Sequence, residues 1–346
     1  MKVEERAKLL SVLDGAVERP PPIWLMRQAG RYLPEYRASR EKAGSFWTLS
    51  MTPELAAEVT LQPIRRFDFD AAIIFSDIMT VPFALGKEIR FEEGEGPSLD
   101  PVAAVDGLET DPEIWKSRLA PVYEALRLVR ATLERSKALL GFAGAPWTLA
   151  TYMAQGGGSS DQRAAKLWGY RDPKSFDLLL KLLADCVAEH LVAQLEAGAD
   201  AVQIFDSWAS GLPETRFMEW VVVPTKRIVQ KIRTKYPKAK IIGFPRGGTL
   251  SGYEVYAAET GVDAISIDTS APISWAVDTL GKTVAIQGNL DPIALIAGGA
   301  ALDRAVDELL KTTRGTRFIF NLGHGILPET PLEHVERLVA RVREAN

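Results

Sequence analysis

Residues 71–79 read AAIIFSDIM. Five apolar residues in succession, Ala71–Phe75, stop abruptly at Ser76 and Asp77. A short run that is apolar on consecutive positions suits a strand covered on both faces, as in a parallel sheet flanked by helices. Upstream, Thr52-Pro53-Glu54 offers a capping residue, a proline at the first helical position and an acid in the first turn. The rest of the chain repeats this arrangement. Seven further runs read as strands: Ile23–Met26, Ala138–Ala143, Ala201–Phe205, Ala239–Phe244, Ala264–Ile267, Thr283–Gln287 and Arg317–Asn321. Helix-like stretches separate most of them, with long amphipathic ones after Pro121 and Lys174. Thr330-Pro331-Leu332-Glu333 reads as a capping box opening the last helix. Eight such units predict an α/β fold closed as a (β/α)8 barrel. An open doubly wound sheet is the alternative, but no Gly-rich phosphate turn follows the first strand. The 346 residues hold no low-complexity linker and no internal repeat, so one domain over residues 1–346 is expected.

Composition narrows the function. The formal net charge is −4, which argues against a nucleic-acid binder while leaving room for a local basic pocket. A single cysteine, Cys186, permits no intrachain disulfide and no thiolate cluster for zinc or iron–sulfur. Its surroundings, DCVAEH, read as helix, where a lone Cys behaves as a small buried hydrophobe. No run approaches the ~18 apolar residues of a membrane span. MKVEERAKLL lacks the apolar core and cleavage site of a secretory leader. A cytoplasmic protein without metal is expected.

In a barrel of this type the chemistry sits where strands end at their C-terminal face. The strand ends carry Arg27 and Arg31, Ser76 and Asp77, Trp147 and Tyr152, Asp206 and Ser207, Arg246, Asp268, Gln287 and Asn289, and His324. The segment MRQAGRYLPEYR (residues 26–37) gathers Arg27, Arg31 and Arg37 beside the first strand. A guanidinium matches a carboxylate with a fixed fork of donors, so such a cluster suits a polyanionic ligand. Gln28, Ala29 and Gly30 leave backbone N–H groups room to approach it. Asp77 must be buried with donors, because a lone buried carboxylate is costly. Asp206 and Asp268 are the rival acids, each reading more readily as structural. In GFAGAPWTLATYMAQGGGSS (residues 141–160), Tyr152 offers a hydroxyl, Trp147 an apolar wall and Gly156–Gly158 a flexible loop that could wrap a ligand. His324, between glycines in NLGHG, suits ligand contact at the rim, whereas His190 and His334 fall in helical patterns.

Taken together, MRQAGRYLPEYR, FSDIM, GFAGAPWTLATYM, FDS and NLGHG resemble the uroporphyrinogen decarboxylase family, in the family's order and over nearly the whole chain from Pro21 onward. The resemblance implies a homodimeric barrel that removes four acetate carboxyls from uroporphyrinogen III, giving coproporphyrinogen III without a cofactor. It makes Arg27 and Arg31 ligands of substrate carboxylates, with Arg27 a candidate proton donor. Asp77 becomes the central acid beneath the pyrrole nitrogens, kept ionised by the arginines. Tyr152, Ser207 and His324 become contacts to substrate side chains, with Gln28, Ala29 and Gly30 in the binding segment. Phe46, in the shorter match SFWTLS, becomes part of the pocket lining. Arg246 in FPRG receives no role. Two rivals stand beside this reading. A methyltransferase of the corrinoid or methionine-synthase type would need zinc ligands that one Cys and three dispersed His residues do not offer. A non-catalytic tetrapyrrole carrier would need the arginines but neither Asp77 nor the Tyr152 hydroxyl.

Overall fold

The structure, a computed structural model, describes residues 6–91, 96–159 and 161–345. Among these residues seven of the eight expected strands appear. β1 (Ala71–Ile73) precedes a short antiparallel pair, β2 (Arg90–Phe91) and β3 (Pro97–Ser98). The main sheet continues through β4 (Ala138–Gly144), β5 (Ala201–Asp206), β6 (Lys240–Pro245), β7 (Ala264–Ser266), β8 (Ala285–Leu290) and β9 (Phe318–Leu322). Its seven strands are all parallel in the order β1-β4-β5-β6-β7-β8-β9. The β2–β3 pair is absent from the sequence expectation, since two-residue strands carry no readable period.

The eighth place belongs to the segment around Ile23. Pro20, Pro21 and Pro22 carry no N–H, so a ladder cannot extend upstream of Ile23. Downstream, Arg27 turns the chain with a left-handed φ of 62°. What remains is one parallel bridge, Ile23 to Phe320. On that side Phe320 N–H donates to the Pro22 carbonyl (2.9 Å) and Trp24 N–H to the Phe320 carbonyl (3.3 Å). On the other side Asp70 N–H donates to the Ile23 carbonyl (2.9 Å), and the Asp70 carboxylate accepts from Ile23 N–H (2.8 Å). The segment thus joins β9 to β1 and completes a (β/α)8-type ring with a single bridge where a full strand was expected.

Side chains alternate across the wall. One set, including Ala72, Ile74, Leu139, Val202, Ile204, Ile241, Ile265 and Ile286, packs outward with the helices. The inward set begins with alanines: Ala71, Ala138, Ala201, Ala264 and Ala285 share a buried cluster with Leu9, Val12 and Leu13. The helix Lys8–Leu13 supplies those three and closes the N-terminal end of the barrel, where five small side chains leave it room. Midway up, Trp24 Nε1 donates to Gln287 Oε1 and Gln287 Nε2 to Gln203 Oε1, each at 3.0 Å. The interior is therefore filled, and the open end is the one where the strands finish.

The long helices Pro112–Thr132 and Pro173–Glu196 start at carboxylate caps, Asp111 accepting from Glu113 N–H and Asp172 from Ser175 N–H. The expected capping box at Thr330 does not form. Pro331 occupies the cap position of helix Leu332–Arg343, and the Thr330 hydroxyl is buried without a partner. Thr52 sits at the expected helix start, but its hydroxyl makes no capping bond.

Candidate active site

Asp77 lies just beyond β1. Its Oδ1 accepts from Met79 N–H (2.8 Å), and its carbonyl accepts from the Thr80 hydroxyl (2.8 Å), which fixes the turn. Among the described residues no protein donor reaches Oδ2, so one carboxylate oxygen keeps its hydrogen-bonding capacity to spare. Burial pushes the Asp77 carboxyl above the usual range, against the Met79 N–H and the Arg27 charge. This corrects the expectation that the arginines would dominate: desolvation is the larger effect.

Arg27 is exposed at the rim, and its left-handed backbone sends the side chain over the NLGHG turn. A methyl group placed on Gly325 would meet Arg27 Cγ at 2.9 Å and Nε at 3.0 Å. One on Gly323 would meet the Thr269 backbone nitrogen at 2.5 Å. Gly323 is thus required by the backbone beside it, and a side chain at 325 would push on Arg27. Arg27 acts on Asp77, Tyr152 and His324, so these four groups share one electrostatic neighbourhood. Tyr152 is half-buried on helix Pro146–Gln155, edge-on to Trp208 at 6.2 Å. Its hydroxyl is pushed up by burial and by Asp77, with Trp208 and Arg27 opposing. His324 is held neutral, depressed to about 4, first by burial, then by Arg246 and Arg27, with Asp268 opposing.

The other expected residues divide. Arg31 is exposed and acts on Tyr36, while Arg37 spends Nη1 on the Arg31 carbonyl (2.8 Å), so Arg37 braces the segment. The Gln28 side chain is fully buried: Oε1 accepts from Leu25 N–H (3.1 Å) and Nε2 donates to the Ala71 carbonyl (3.0 Å). It clamps the Ile23 segment to β1, while its neighbours Ala29 and Gly30 are half-buried. Phe46 forms part of an aromatic wall with Phe75 (5.5 Å, edge-on) and Phe91 (4.9 Å). Trp147 does not line the mouth. It is buried, stacked on Trp220 at 5.0 Å, with Nε1 donating to the Trp208 carbonyl. Gly156, the first residue of the expected flexible loop, caps its helix and is pinned by Leu99 N–H on its carbonyl (2.9 Å).

The rival acids are each bonded into the fold, although the Asp206 Oδ2 is buried without a partner among the described residues. Asp268 accepts from Gly247 N–H, the Tyr253 hydroxyl, and the N–H and hydroxyl of Ser270, which together overcome burial and hold its carboxyl low. Asp206 is fully buried, accepts from the Thr148 N–H (3.1 Å) and hydroxyl, and is raised by burial to about 7. Sequence reasoning placed Arg246 at a strand end but gave it no role. It follows β6 directly, half-buried, with Nη1 on the Ser207 carbonyl (3.4 Å). The cation at a strand end was visible in FPRG, but its partner lies 39 positions away. No group of three or more His, Cys, Asp or Glu side chains that could hold a metal occurs among the described residues. No helix there is long and apolar enough to cross a membrane.

A (β/α)8-type barrel whose rim carries Arg27, Arg31 and Arg246, none with a carboxylate at ion-pairing distance among the described residues, together with a half-free acid, defines an enzyme built for an anionic substrate. The chain belongs to the uroporphyrinogen decarboxylase family, whose sequence profile matches residues 4–345. Uroporphyrinogen decarboxylase of Brucella anthropi is 54% identical over 338 residues, covering 98% of both chains. That of Brucella canis is 55% identical over 336 residues, covering 97% of this chain and 98% of its own. Among solved structures, a methyltransferase from Methanosarcina mazei superposes with a TM-score of 0.82 at 20% identity, covering 99% of this chain and 98% of its own. A B12-independent methionine synthase from Shewanella sp. W3-18-1 gives 0.56 at 11% identity, covering 84% and 86%. At such identities these two show the fold alone.

Proposed function

We propose that the chain decarboxylates uroporphyrinogen at this mouth, converting its four acetate side chains to methyls to give coproporphyrinogen in tetrapyrrole biosynthesis. The observation that carries the reading is Asp77, whose Oδ2 has no protein donor among the described residues and whose carboxyl feels the charge of Arg27. The ring N–H groups of a flexible tetrapyrrole can converge on one such oxygen. In each round a proton adds to the ring α-carbon next to the carbon bearing the acetate, and the positive charge is shared between that acetate-bearing carbon and the ring nitrogen. The electron pair of the bond to the carboxylate then flows into the ring as CO₂ leaves, producing an exocyclic methylene. A proton to that methylene makes the methyl, and loss of the first proton restores the aromatic ring. The substrate's own ring is the electron sink, so the protein has to hold, orient and stabilise charge.

Asp77 opposes the developing ring cation. Arg27 and Arg31 hold carboxylates, and Arg27 is the candidate proton donor. Tyr152, Ser207 and His324 contact side chains, with Ala29, Gly30, Phe46 and the backbone of Gln28 shaping the mouth. Family membership also favours a cytoplasmic homodimer acting as one catalytic domain. The test is turnover of uroporphyrinogen by the purified chain before and after exhaustive metal chelation. Equal rates in both support the proposal. No conversion by folded protein overturns the activity, and loss on chelation with recovery on adding metal overturns the cofactor-free route.

A further inference from the structure

The Arg246 loop is firmly held for a cation that pairs with no acid among the described residues. Arg246 N–H donates to the Asp206 (3.0 Å) and Phe244 (3.1 Å) carbonyls. Next along, Gly247 N–H donates to Asp268 Oδ2 (2.5 Å). Asp268 therefore positions the loop, and its oxygens are already taken by Gly247, Tyr253 and Ser270. The Arg246 guanidinium itself has one hydrogen bond among the described residues, Nη1 to the Ser207 carbonyl at 3.4 Å. That is beyond the usual range for N–H···O, and a guanidinium has five donors to satisfy. The group is half-buried, so water serves it only in part.

Its place in the ring matters as much. Counting the Ile23 segment as one strand position, β6 lies four places round an eight-place barrel, diametrically across from Arg27 and Arg31. Yet Arg246 also acts on His324, ahead of Arg27 in its effect. Ser207 is therefore its neighbour by hydrogen bond, and its charge reaches across the mouth to His324. A tetrapyrrole bears carboxylates on every side of its ring, so cations at one edge of the mouth leave the far edge unmatched.

We propose that Arg246 is a carboxylate-binding residue of this site, holding a substrate side-chain carboxylate beside Ser207 on the side of the mouth opposite Arg27. The inference rests on the tetrapyrrole reading above. The test compares Arg246→Gln and Arg246→Lys with the unaltered enzyme, using uroporphyrinogen as substrate and coproporphyrinogen as competing product. Loss of a charge-assisted bond should raise KM by about ten- to a hundredfold for Arg246→Gln, with kcat within about threefold, as for binding shared by ground and transition states. Lys keeps the charge without the fork and should recover part of that loss. Coproporphyrinogen inhibition weakening in parallel would assign the contact to a retained propionate. Unchanged inhibition with raised KM would assign it to an acetate that the reaction consumes. In the same variant the His324 imidazole, followed by NMR, should titrate at higher pH, because a neighbouring cation is gone. An unchanged KM in folded Arg246→Gln, or a fall in kcat with KM constant, overturns the proposal. Turnover by the unaltered enzyme tests the underlying activity separately.

Discussion

Arg27 lies across Gly325, its Cγ and Nε within 2.9 Å and 3.0 Å of where a methyl group on that glycine would stand. The glycine keeps open the track along which the arginine reaches the mouth. Gly325→Ala should therefore displace Arg27 while the core stays intact. A misplacement on the order of 1 Å costs about a hundredfold in rate, so kcat/KM should fall by that order with an unchanged circular dichroism spectrum. Wild-type kinetics in the alanine variant would mean Arg27 has no fixed station.

Asp77 should tolerate no loss of charge. At an effective dielectric of ~20 and ~4 Å, a carboxylate and a developing ring cation attract by about 4 kcal/mol, roughly a thousandfold in rate. Asp77→Asn should lose activity near that factor, and Asp77→Glu should retain more. Because burial raises the Asp77 carboxyl, the acid limb of the kcat/KM profile should lie above the ordinary carboxylate range. Near-normal turnover by Asp77→Asn would end its role.

His324 should behave as a neutral hydrogen-bonding group. Depressed to about 4, it carries no charge at neutral pH. An NMR titration should show no imidazole transition above about pH 5. In the unfolded chain His protonates near pH 6.5, so between there and about 4 the unfolded state binds more protons and stability falls as pH is lowered. His324→Asn should remove that slope and keep activity within about tenfold, since a neutral hydrogen bond contributes ~0.5–1.5 kcal/mol. A thousandfold loss would make His324 a proton carrier.

Asp206 has the opposite sign. Raised from 3.8 to about 7 by burial, it holds a proton in the folded state that the unfolded state releases. Its contribution is present below pH 3.8 and is lost as pH rises toward 7. Denaturant unfolding should show the unaltered protein losing stability, relative to Asp206→Asn, by a few kcal/mol across that window. A flat difference would mean the carboxylate is ionised in place.

The alternation of strand and helix was legible because consecutive apolar runs such as Ala71–Phe75 have few other uses in a soluble fold. The short eighth member was less so. Its ladder is limited by prolines before Ile23 and by a left-handed turn at Arg27, and the turn leaves no signature in residue type. The arginines and Asp77 were legible because charge beside a buried run calls for an explanation. Gln28 shows the limit: an amide within a binding motif looks the same whether it faces ligand or clamps Leu25 to Ala71. Trp147 likewise stacks on Trp220, a contact that spacing does not disclose. Arg246 needed Ser207 beside it before its isolation from acids became meaningful.

The barrel is stoppered twice, by the Trp24–Gln287–Gln203 chain midway up and by Leu9, Val12 and Leu13 at the base. Traffic therefore uses one doorway. On the proposed reaction, carbon dioxide leaves past the same arginines that admit the ligand. A four-armed guest trimmed one arm at a time must swivel in its seat or step out and re-enter between cuts.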